Sequence, residues 1–139
     1  MKKSYWLLKT EPEEWSWHDQ VKTGYKGAEW GGVRNFQAAK TLNNMDIGDK
    51  CLFYHTGKER RIEGVVEVIK DAFLDKSDKT KKFVSVKVKA LHPLKRPVNL
   101  KEIKKNMVFK DFSLVRQSRL SVVKVDLKYW KKICKMGKV

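Results

Sequence analysis

Long apolar runs are missing from this sequence. No stretch approaches the roughly 20 residues that a helix needs to cross a bilayer. The basic N-terminus is followed by an apolar run of only about four residues, Tyr5 to Leu8, whereas the core of a signal peptide has roughly 7–15. We therefore expect a cytoplasmic protein without a membrane partner.

Metal-binding and nucleophile motifs are also missing. The two cysteines, Cys51 and Cys134, do not form a C-x-x-C pair, and the three histidines stand far apart and outside an H-E-x-x-H motif. Neither a G-x-S-x-G motif nor a phosphate-binding G-x-x-x-x-G-K-[ST] motif occurs. We expect no metal site and no cofactor, and we interpret both cysteines as small buried apolar residues.

Positive charge is what the sequence has in excess. The formal net charge is +16 and the pI is near 9.9. A basic surface attracts polyanions, of which nucleic acid is the obvious one. Most cations are scattered lysines, which a soluble surface also explains, so the charge favours a nucleic-acid partner without locating a site. Arginine, whose planar fork suits bidentate contacts, occurs only at Arg34, Arg60, Arg61, Arg96, Arg116 and Arg119.

The length of 139 residues suits one domain, which we place at 1–139 and expect to be a monomer. Alternating apolar residues and turn signals predict strands over 4–9, 50–55, 61–69, 84–90 and 120–125. Caps and helical spacing predict helices over 13–22, 36–44, 99–105 and after Asp126, with loops at 23–33 and 75–82. The strands are too consecutive for a Rossmann or TIM architecture. We expect an α+β fold, a small, mainly antiparallel barrel or curled sheet with helices packed around it.

Polar side chains cluster where these predicted elements begin and end. Taken singly, each has an ordinary explanation as a helix cap, a helix-start charge or a solvated strand end. Together they can read the donors and acceptors of a nucleobase edge. The candidates for a base-binding pocket at these ends are Lys9, Thr10, Glu11, Asn35, Tyr54 and His55.

Trp30 stands in the glycine-rich segment Gly-Ala-Glu-Trp-Gly-Gly. We expect it in a loop, where neither helical nor strand periodicity gives the indole a reason to be buried. An aromatic side chain in a loop offers a face on which a base can stack. Trp30 is therefore our main candidate for the wall of the pocket.

A polar tip interrupts the apolar stretch at 113–122. It consists of Arg116, Gln117, Ser118 and Arg119. A solvated turn is the ordinary explanation, but two guanidinium groups beside an amide and a hydroxyl also suit a phosphate. We expect this tip, together with Arg34, to contact nucleic acid.

Five segments of the chain are similar in order and spacing to the EVE-domain family, most of all to its thymocyte-nuclear-protein type and small bacterial relatives. They are YWLLKTEP, WGGVRNFQAAK, GDKCLFYH, IEGVVEV and LVRQSRLSV, and the resemblance runs from about residue 4 to 134. It implies a PUA-like fold, a curled and mainly antiparallel barrel with helices around it. It also implies a reader of modified bases, particularly modified cytosines in DNA, with RNA as another proposed ligand.

The resemblance extends to YTH domains, which have a lysine–hydroxyl pair after the first strand and a tryptophan of an aromatic cage in the next loop. Lys9, Thr10 and Trp30 look like those positions. Where a YTH domain has serine after the tryptophan, this chain has Gly31. Trp17 and Tyr54 are candidates for the second wall of the cage.

These features predict a non-catalytic module that binds an extruded, modified base. The base would stack on Trp30, and Thr10, Asn35 and Tyr54 would read its edge. Lys9, Arg34, Arg116 and Arg119 would hold flanking phosphates.

Two alternatives stay open at this point. One is a small ASCH-like amidohydrolase acting on an acylated pyrimidine nucleoside, with Lys9 as base, Thr10 as nucleophile and Glu11 or Glu67 as the partner carboxylate. Adjacent residues of a regular strand point to opposite faces, which disfavours such a dyad. The other is an RNA-binding PUA-like accessory domain that binds through charge.

Overall fold

A single six-stranded sheet organises the protein, whose computed structural model describes residues 4–139. The strand order is β2-β5-β4-β3-β1-β6. The strands are β1 (Tyr5–Thr10), β2 (Ala28–Trp30), β3 (Lys50–His55), β4 (Arg61–Leu74), β5 (Val84–Asn99) and β6 (Val122–Val125). The α-helices are α1 (Trp17–Lys22), α2 (Phe36–Asn43), α3 (Leu100–Lys105), α4 (Ser113–Arg116) and α5 (Leu127–Met136), and short 3₁₀ turns lie at Gly24–Lys26 and Met107–Phe109.

The sheet is mainly antiparallel, as expected. Only β1 and β3 pair in parallel, and β2 and β6 form its two edges, so the sheet is not a closed barrel. Register shifts interrupt the long β4–β5 pairing at several points. Such bulges bend a strand and increase its twist, which curls the sheet. The expected α+β fold is confirmed.

Two strands run further than the sequence predicts. β4 ends at Leu74 instead of near 69, and β5 continues past Pro93 and Pro97 to Asn99. The short β2 pairs with β5 only up to Val88, so beyond that residue one side of β5 has no strand partner. A proline can therefore occupy this side without removing a hydrogen bond of the sheet.

The N-terminal region also differs from the prediction. Helix α1 begins at Trp17 because Ser16 is its N-cap and forms a capping box with Asp19. The expected loop at 23–33 contains β2, which pairs with the edge of β5. Three residues are too few for a periodic pattern, so the sequence gives no strand signal there.

The apolar core lies on the inner side of the sheet, beneath the helices. Trp6 and Cys51 are buried as expected, while Cys134 is half-buried, and both cysteines are free. Trp130, on α5, stacks on Tyr5 with ring centroids 4.4 Å apart. Among the described residues, no helix combines the length and the apolar character that crossing a membrane requires.

A buried carboxylate ties β1 to the turn before β3. Asp49 is 4% exposed and accepts hydrogen bonds from Trp6 Nε1 at 2.9 Å, from the Asp46 amide at 2.9 Å and from the Ser4 amide at 3.3 Å. A buried donor that loses its acceptor keeps its full desolvation cost. Asp49 therefore fixes the position of the indole under the first strand.

Replacing this carboxylate should destabilise the fold. Because Asp49→Ala leaves the Trp6 and Asp46 donors without partners, we expect a loss of about 2–4 kcal/mol in the free energy of unfolding, measured by urea titration. Asp46→Ala is the matched control, since its side chain is exposed, and it should change stability by no more than about 0.5 kcal/mol. Equal effects of the two variants would contradict this role.

Candidate functional site

A cavity of about 350 Å³ opens where the end of β1 meets β2 and the loop that leads to α2. This volume lies at the small end of the range for ligand pockets, about 300–1,000 Å³, and suits one planar ring system. Its lining residues are Lys9, Thr10, Glu11, Glu14, Trp15, Glu29, Trp30, Gly31, Gly32, Val33, Arg34, Asn35 and Ser121.

Most of the predicted pocket residues meet at this cavity. The end of β1 supplies three of them, and the segment from β2 to the N-cap of α2 supplies the others. That these side chains contact a ligand stays a prediction. The predicted residues that line the cavity are Lys9, Thr10, Glu11, Trp30, Arg34 and Asn35.

Trp30 lines the cavity from a strand, and the expectation of an open loop position is wrong. It pairs with Val86 across the sheet and is only 8% exposed. Its ring meets Phe53 edge-on, with centroids 5.5 Å apart and an interplanar angle of 81°. The indole is thus a fixed part of the wall, because the core holds it in place.

Trp15 is a second indole at the same cavity and is not among the predicted pocket residues. Its Nε1 donates to Gln20 Oε1 at 2.9 Å, and its carbonyl accepts from Thr10 Oγ1 at 2.9 Å. Gln20 is fully buried and its Nε2 donates to the Val88 carbonyl at 3.0 Å. The position of Trp15 depends on the burial of Gln20, and the sequence alone does not show that this glutamine is buried.

Trp17 does not line the cavity. Its ring meets Phe53 edge-on at 5.3 Å and lies against Gly64, where a Cβ atom would come within 2.5–2.8 Å of the indole. Its amide donates to His55 Nε2 at 3.0 Å. Trp17 therefore packs α1 onto the sheet, and the position of the second indole belongs to Trp15.

His55 and Tyr54 also lie away from the cavity. Tyr54 is 3% exposed and borders a neighbouring cleft, and its burial raises the pKa of its hydroxyl to about 12. His55 is 5% exposed and its Nδ1 lies 3.2 Å from Glu59 Oε1 and 3.6 Å from Glu63 Oε1. Both residues belong to β3, and their buried side chains pack within the fold.

The cluster of His55, Glu59 and Glu63 has the residue types of a metal site. However, His55 Nε2 accepts the Trp17 amide hydrogen, so in the neutral ring Nδ1 carries the proton and donates to Glu59. Arg61 lies 2.9 Å from Glu59 and 3.0 Å from Glu63, so both carboxylates already share a cation. The arrangement fits a structural ion-pair network better than a cation site.

A carboxylate from the loop after β4 holds the glycine-rich wall. Asp75 Oδ2 accepts from the Gly32 amide at 2.7 Å and from Arg34 Nη1 at 3.0 Å. Arg34 Nη2 donates to Ser77 Oγ at 3.0 Å. A Cβ atom at Gly31 would collide with Ser85 Oγ, which explains the glycine at a position where a YTH domain has serine. Arg34 is thus engaged in positioning the wall.

Asp75 is held in its charged form. Burial opposes this, but hydrogen bonds from Ser77, from the Gly32 amide and from Arg34 outweigh it and lower the pKa of Asp75 well below its usual range. The sequence did not reveal this residue, since 41 positions separate it from Arg34.

The strand geometry at Lys9 and Thr10 disfavours a catalytic dyad. β1 pairs residue by residue with β3 at this point, Lys9 with Tyr54 and Thr10 with His55, so the two side chains point to opposite faces. Lys9 Nζ donates to the Ser118 carbonyl at 3.0 Å, and burial lowers its pKa to about 8. Of the two carboxylates considered as partner, Glu11 lines the cavity, whereas Glu67 lies 3.7 Å from Lys89 and does not line it. The strand geometry therefore disfavours the amidohydrolase, which stays an alternative.

The polar tip at 116–119 borders a separate, shallow cavity of about 360 Å³. This cavity shares Asn35 with the first one, and on its own wall Gln37 Nε2 donates to Gln117 Oε1 at 3.0 Å. Arg116 lies 3.6 Å from Asp111, and both side chains are largely exposed. The tip therefore lies next to the cavity without lining it.

Comparison with known proteins gives consistent matches. A sequence model of the family described as EVE domain matches residues 4–136. Thymocyte nuclear protein 1 of Danio rerio is 32% identical over 151 residues, which covers 86% of this chain and 65% of that protein. The chain thus spans less than two thirds of that relative's length.

Solved structures match over nearly the whole chain. The NMR structure of Rpa0253 from Rhodopseudomonas palustris is 43% identical with a TM-score of 0.92, covering 97% of this chain and 93% of that one. The crystal structure of the human THYN1 protein in complex with DNA containing 5-methylcytosine is 26% identical with a TM-score of 0.87, covering 99% of each chain.

The Asp75 contacts predict a pH-dependent contribution to stability. A carboxylate with a lowered pKa stabilises the fold fully above its unfolded pKa of about 3.9, and this contribution is lost progressively as the pH falls below that value. Asp75→Asn should lower the free energy of unfolding by about 1–2 kcal/mol near neutral pH, and the difference from wild type should shrink at about pH 3. Urea titrations at both pH values test this. Asp71→Asn, an exposed carboxylate of β4, should show no difference at either pH, and a pH-independent Asp75→Asn effect would contradict the assignment.

Proposed function

The chain belongs to the EVE domain family, and from this premise we propose that its 350 Å³ cavity binds a modified base, most specifically a modified cytosine extruded from DNA. One observation carries the proposal: two indoles, Trp15 and Trp30, line a cavity of base size together with polar groups from the end of β1 and the start of α2. The human THYN1 structure, which contains DNA with 5-methylcytosine, supports the same ligand class.

Stacking supplies the binding energy that extrusion requires. Taking a base out of a duplex costs a few kcal/mol, and stacking on an aromatic side chain contributes about 1–3 kcal/mol per base. Two indoles fixed by Gln20 and Phe53 can offset this cost without first losing side-chain freedom.

The carboxylates of the lining favour a base that carries an amino group. Glu14 and Glu29 line the cavity, as does Glu11, whose Oε2 also accepts from Thr56 Oγ1 at 3.2 Å, and a carboxylate accepts from the exocyclic amine of cytosine. Thymine and uracil have a carbonyl at the position of this amine. Their carbonyl oxygen and the carboxylate are both acceptors, so no hydrogen bond forms between them. This property supports cytosine over the other pyrimidines.

The cavity is expected to recognise a methyl group and a polar group on the base in different ways. A methyl group that fills an apolar niche contributes only about 0.8 kcal/mol, so a methyl alone gives modest discrimination. A polar modification can be read more sharply, since a buried donor or acceptor without its partner is costly.

Removing the exposed part of the aromatic wall should weaken binding to the modified base. Trp15→Ala is the first variant, because Trp15 is only half-buried; we expect an affinity loss of about 1–3 kcal/mol, roughly fivefold to 150-fold, for a DNA duplex with a single 5-methylcytosine. Fluorescence anisotropy at fixed salt measures it, and Trp30→Leu, checked for folding by thermal melting, should act in the same direction.

Trp130→Ala is the matched control, because this tryptophan stacks on Tyr5 and does not line the cavity. It should bind like wild type. Equal binding of modified and unmodified duplexes by wild type, unchanged by Trp15→Ala, would reduce the protein to a nonspecific binder of polyanions.

The charge of Lys9 should make binding depend on pH. With its pKa lowered to about 8, Lys9 is largely protonated near neutral pH and loses its charge as the pH rises through that value. The affinity for DNA should therefore fall by about tenfold across this transition, since a charge-assisted contact to phosphate is lost. Lys9→Gln should bind more weakly near neutral pH and show no such fall; a wild-type pH profile in this variant would exclude Lys9 as the source.

A further inference from the structure

A second cleft adjoins the base cavity, and Lys9 lines both. It has a volume of about 350 Å³ and lies between the β3–β4 turn and helix α3. Its floor is apolar, formed by Leu100 and the buried Leu114, and its rim is cationic. The remaining lining residues are Tyr54, Thr56, Gly57, Arg60, Lys104 and Ser118.

The arginines of the described residues divide into paired and unpaired ones. Arg34, Arg61, Arg96 and Arg116 each lie within 3.6 Å of a carboxylate. Within residues 4–139, Arg60 and Arg119 form no ion pair; Arg119 lines the separate cavity at the 116–119 tip, whereas Arg60 lines this cleft together with Lys104, which is also unpaired. Unpaired, exposed cations at the rim of a concave surface are free to contact an anion.

The backbone that carries Arg60 is fixed in an unusual conformation. Arg60 has a φ of 46°, which non-glycine residues rarely adopt. Its Nε donates to the Gly57 carbonyl at 3.1 Å, and its carbonyl accepts from the Leu100 amide at 2.7 Å. The β3–β4 turn is thus attached to the first residue of α3, which holds the Arg60 side chain beside the cleft.

The cationic surface continues past the cleft. A neighbouring depression of about 400 Å³ shares Arg60, Leu100 and Lys104 with it and adds Lys58 and Lys101. Both added lysines are exposed and unpaired within the described residues. The cations of this depression, which also contains Glu59, extend the positive charge beyond the cleft, and this suits the repeated charge of a sugar–phosphate backbone.

We propose that this second cleft binds the phosphodiester that flanks the extruded base, with Arg60 and Lys104 contacting the phosphate. The inference rests on the proposed function. It assigns to the cleft the phosphodiester next to the extruded base, on the side of the base cavity that Lys9 lines. Since phosphate contacts position the strand without reading sequence, the cleft sets affinity and register, while the first cavity sets selectivity.

The first test is the salt dependence of binding to a DNA duplex with a single 5-methylcytosine. Each neutralised phosphate contributes about 0.9 to the slope of log affinity against log salt, and since both cations contact the same phosphate, Arg60→Ala/Lys104→Ala should lower the slope by about 0.9. The ratio of affinities for modified and unmodified duplex should not change. Lys131→Ala/Lys135→Ala, which removes two exposed cations of α5, is the matched control and should keep the wild-type slope.

The second test locates the phosphate. Single methylphosphonate substitutions remove one charge of the DNA at a time. At one phosphate next to the modified base, the substitution should weaken wild-type binding by about tenfold and the Arg60→Ala/Lys104→Ala variant by less than about twofold. Equal losses in both proteins at every phosphate, or equal slopes for the two double variants, would overturn the proposal.

The two proposals fail in different ways. If wild type does not discriminate the modified duplex but the slope still falls in Arg60→Ala/Lys104→Ala, the base-reading function fails and the phosphate cleft stands. If discrimination is intact and the slope does not change, only the cleft fails. If wild type does not bind in a salt-dependent way, both proposals are overturned.

Discussion

The pairing of β1 on both of its sides is the constraint on which the rest of the site depends. β1 pairs in parallel with β3 and antiparallel with β6, and at its end the Lys9 amide donates to the Ser121 carbonyl at 2.9 Å while the Thr10 carbonyl accepts from the Thr56 amide at 2.9 Å. The end of this one strand therefore brings together the turn after β3 and the segment before β6. The base cavity and the second cleft meet there because Lys9 belongs to both walls.

Charge is divided between the inside of the cavity and its surroundings. The chain carries a net charge of +16, yet the base cavity itself has the carboxylates of Glu11, Glu14 and Glu29 on its wall. A carboxylate repels a phosphate and offers an acceptor to a base with an amino group, and Lys9 and Arg34 are the cations of the same lining. The unpaired cations Arg60 and Lys104 line the adjoining cleft. The phosphate and the base would therefore bind in two neighbouring sites.

The sequence predicted the features of the fold that depend on neighbouring residues. The strands β1 and β3 and the meeting of strand ends around Thr10 followed from alternation and turn signals. The family followed from long motifs. The positions of Trp15 and Trp30 did not, because one depends on a glutamine buried beneath α1 and the other on pairing of a three-residue strand with β5. Asp75 was missed because its partners are distant in sequence. The single domain, the monomeric state and the cytoplasmic location stay predictions.

The walls of the cavity are fixed before any ligand arrives, and this has a consequence for selectivity. Gln20 holds Trp15, Phe53 holds Trp30, and Asp75 holds the Gly31–Gly32 backbone. A rigid site loses little conformational entropy on binding, so its affinity responds directly to the fit of the base. It also has little freedom to rearrange around a base whose donors and acceptors are misplaced, and each unmatched polar group then keeps its desolvation cost. Selectivity in this protein should therefore depend more on hydrogen-bond matching along the base edge than on the size of the modification.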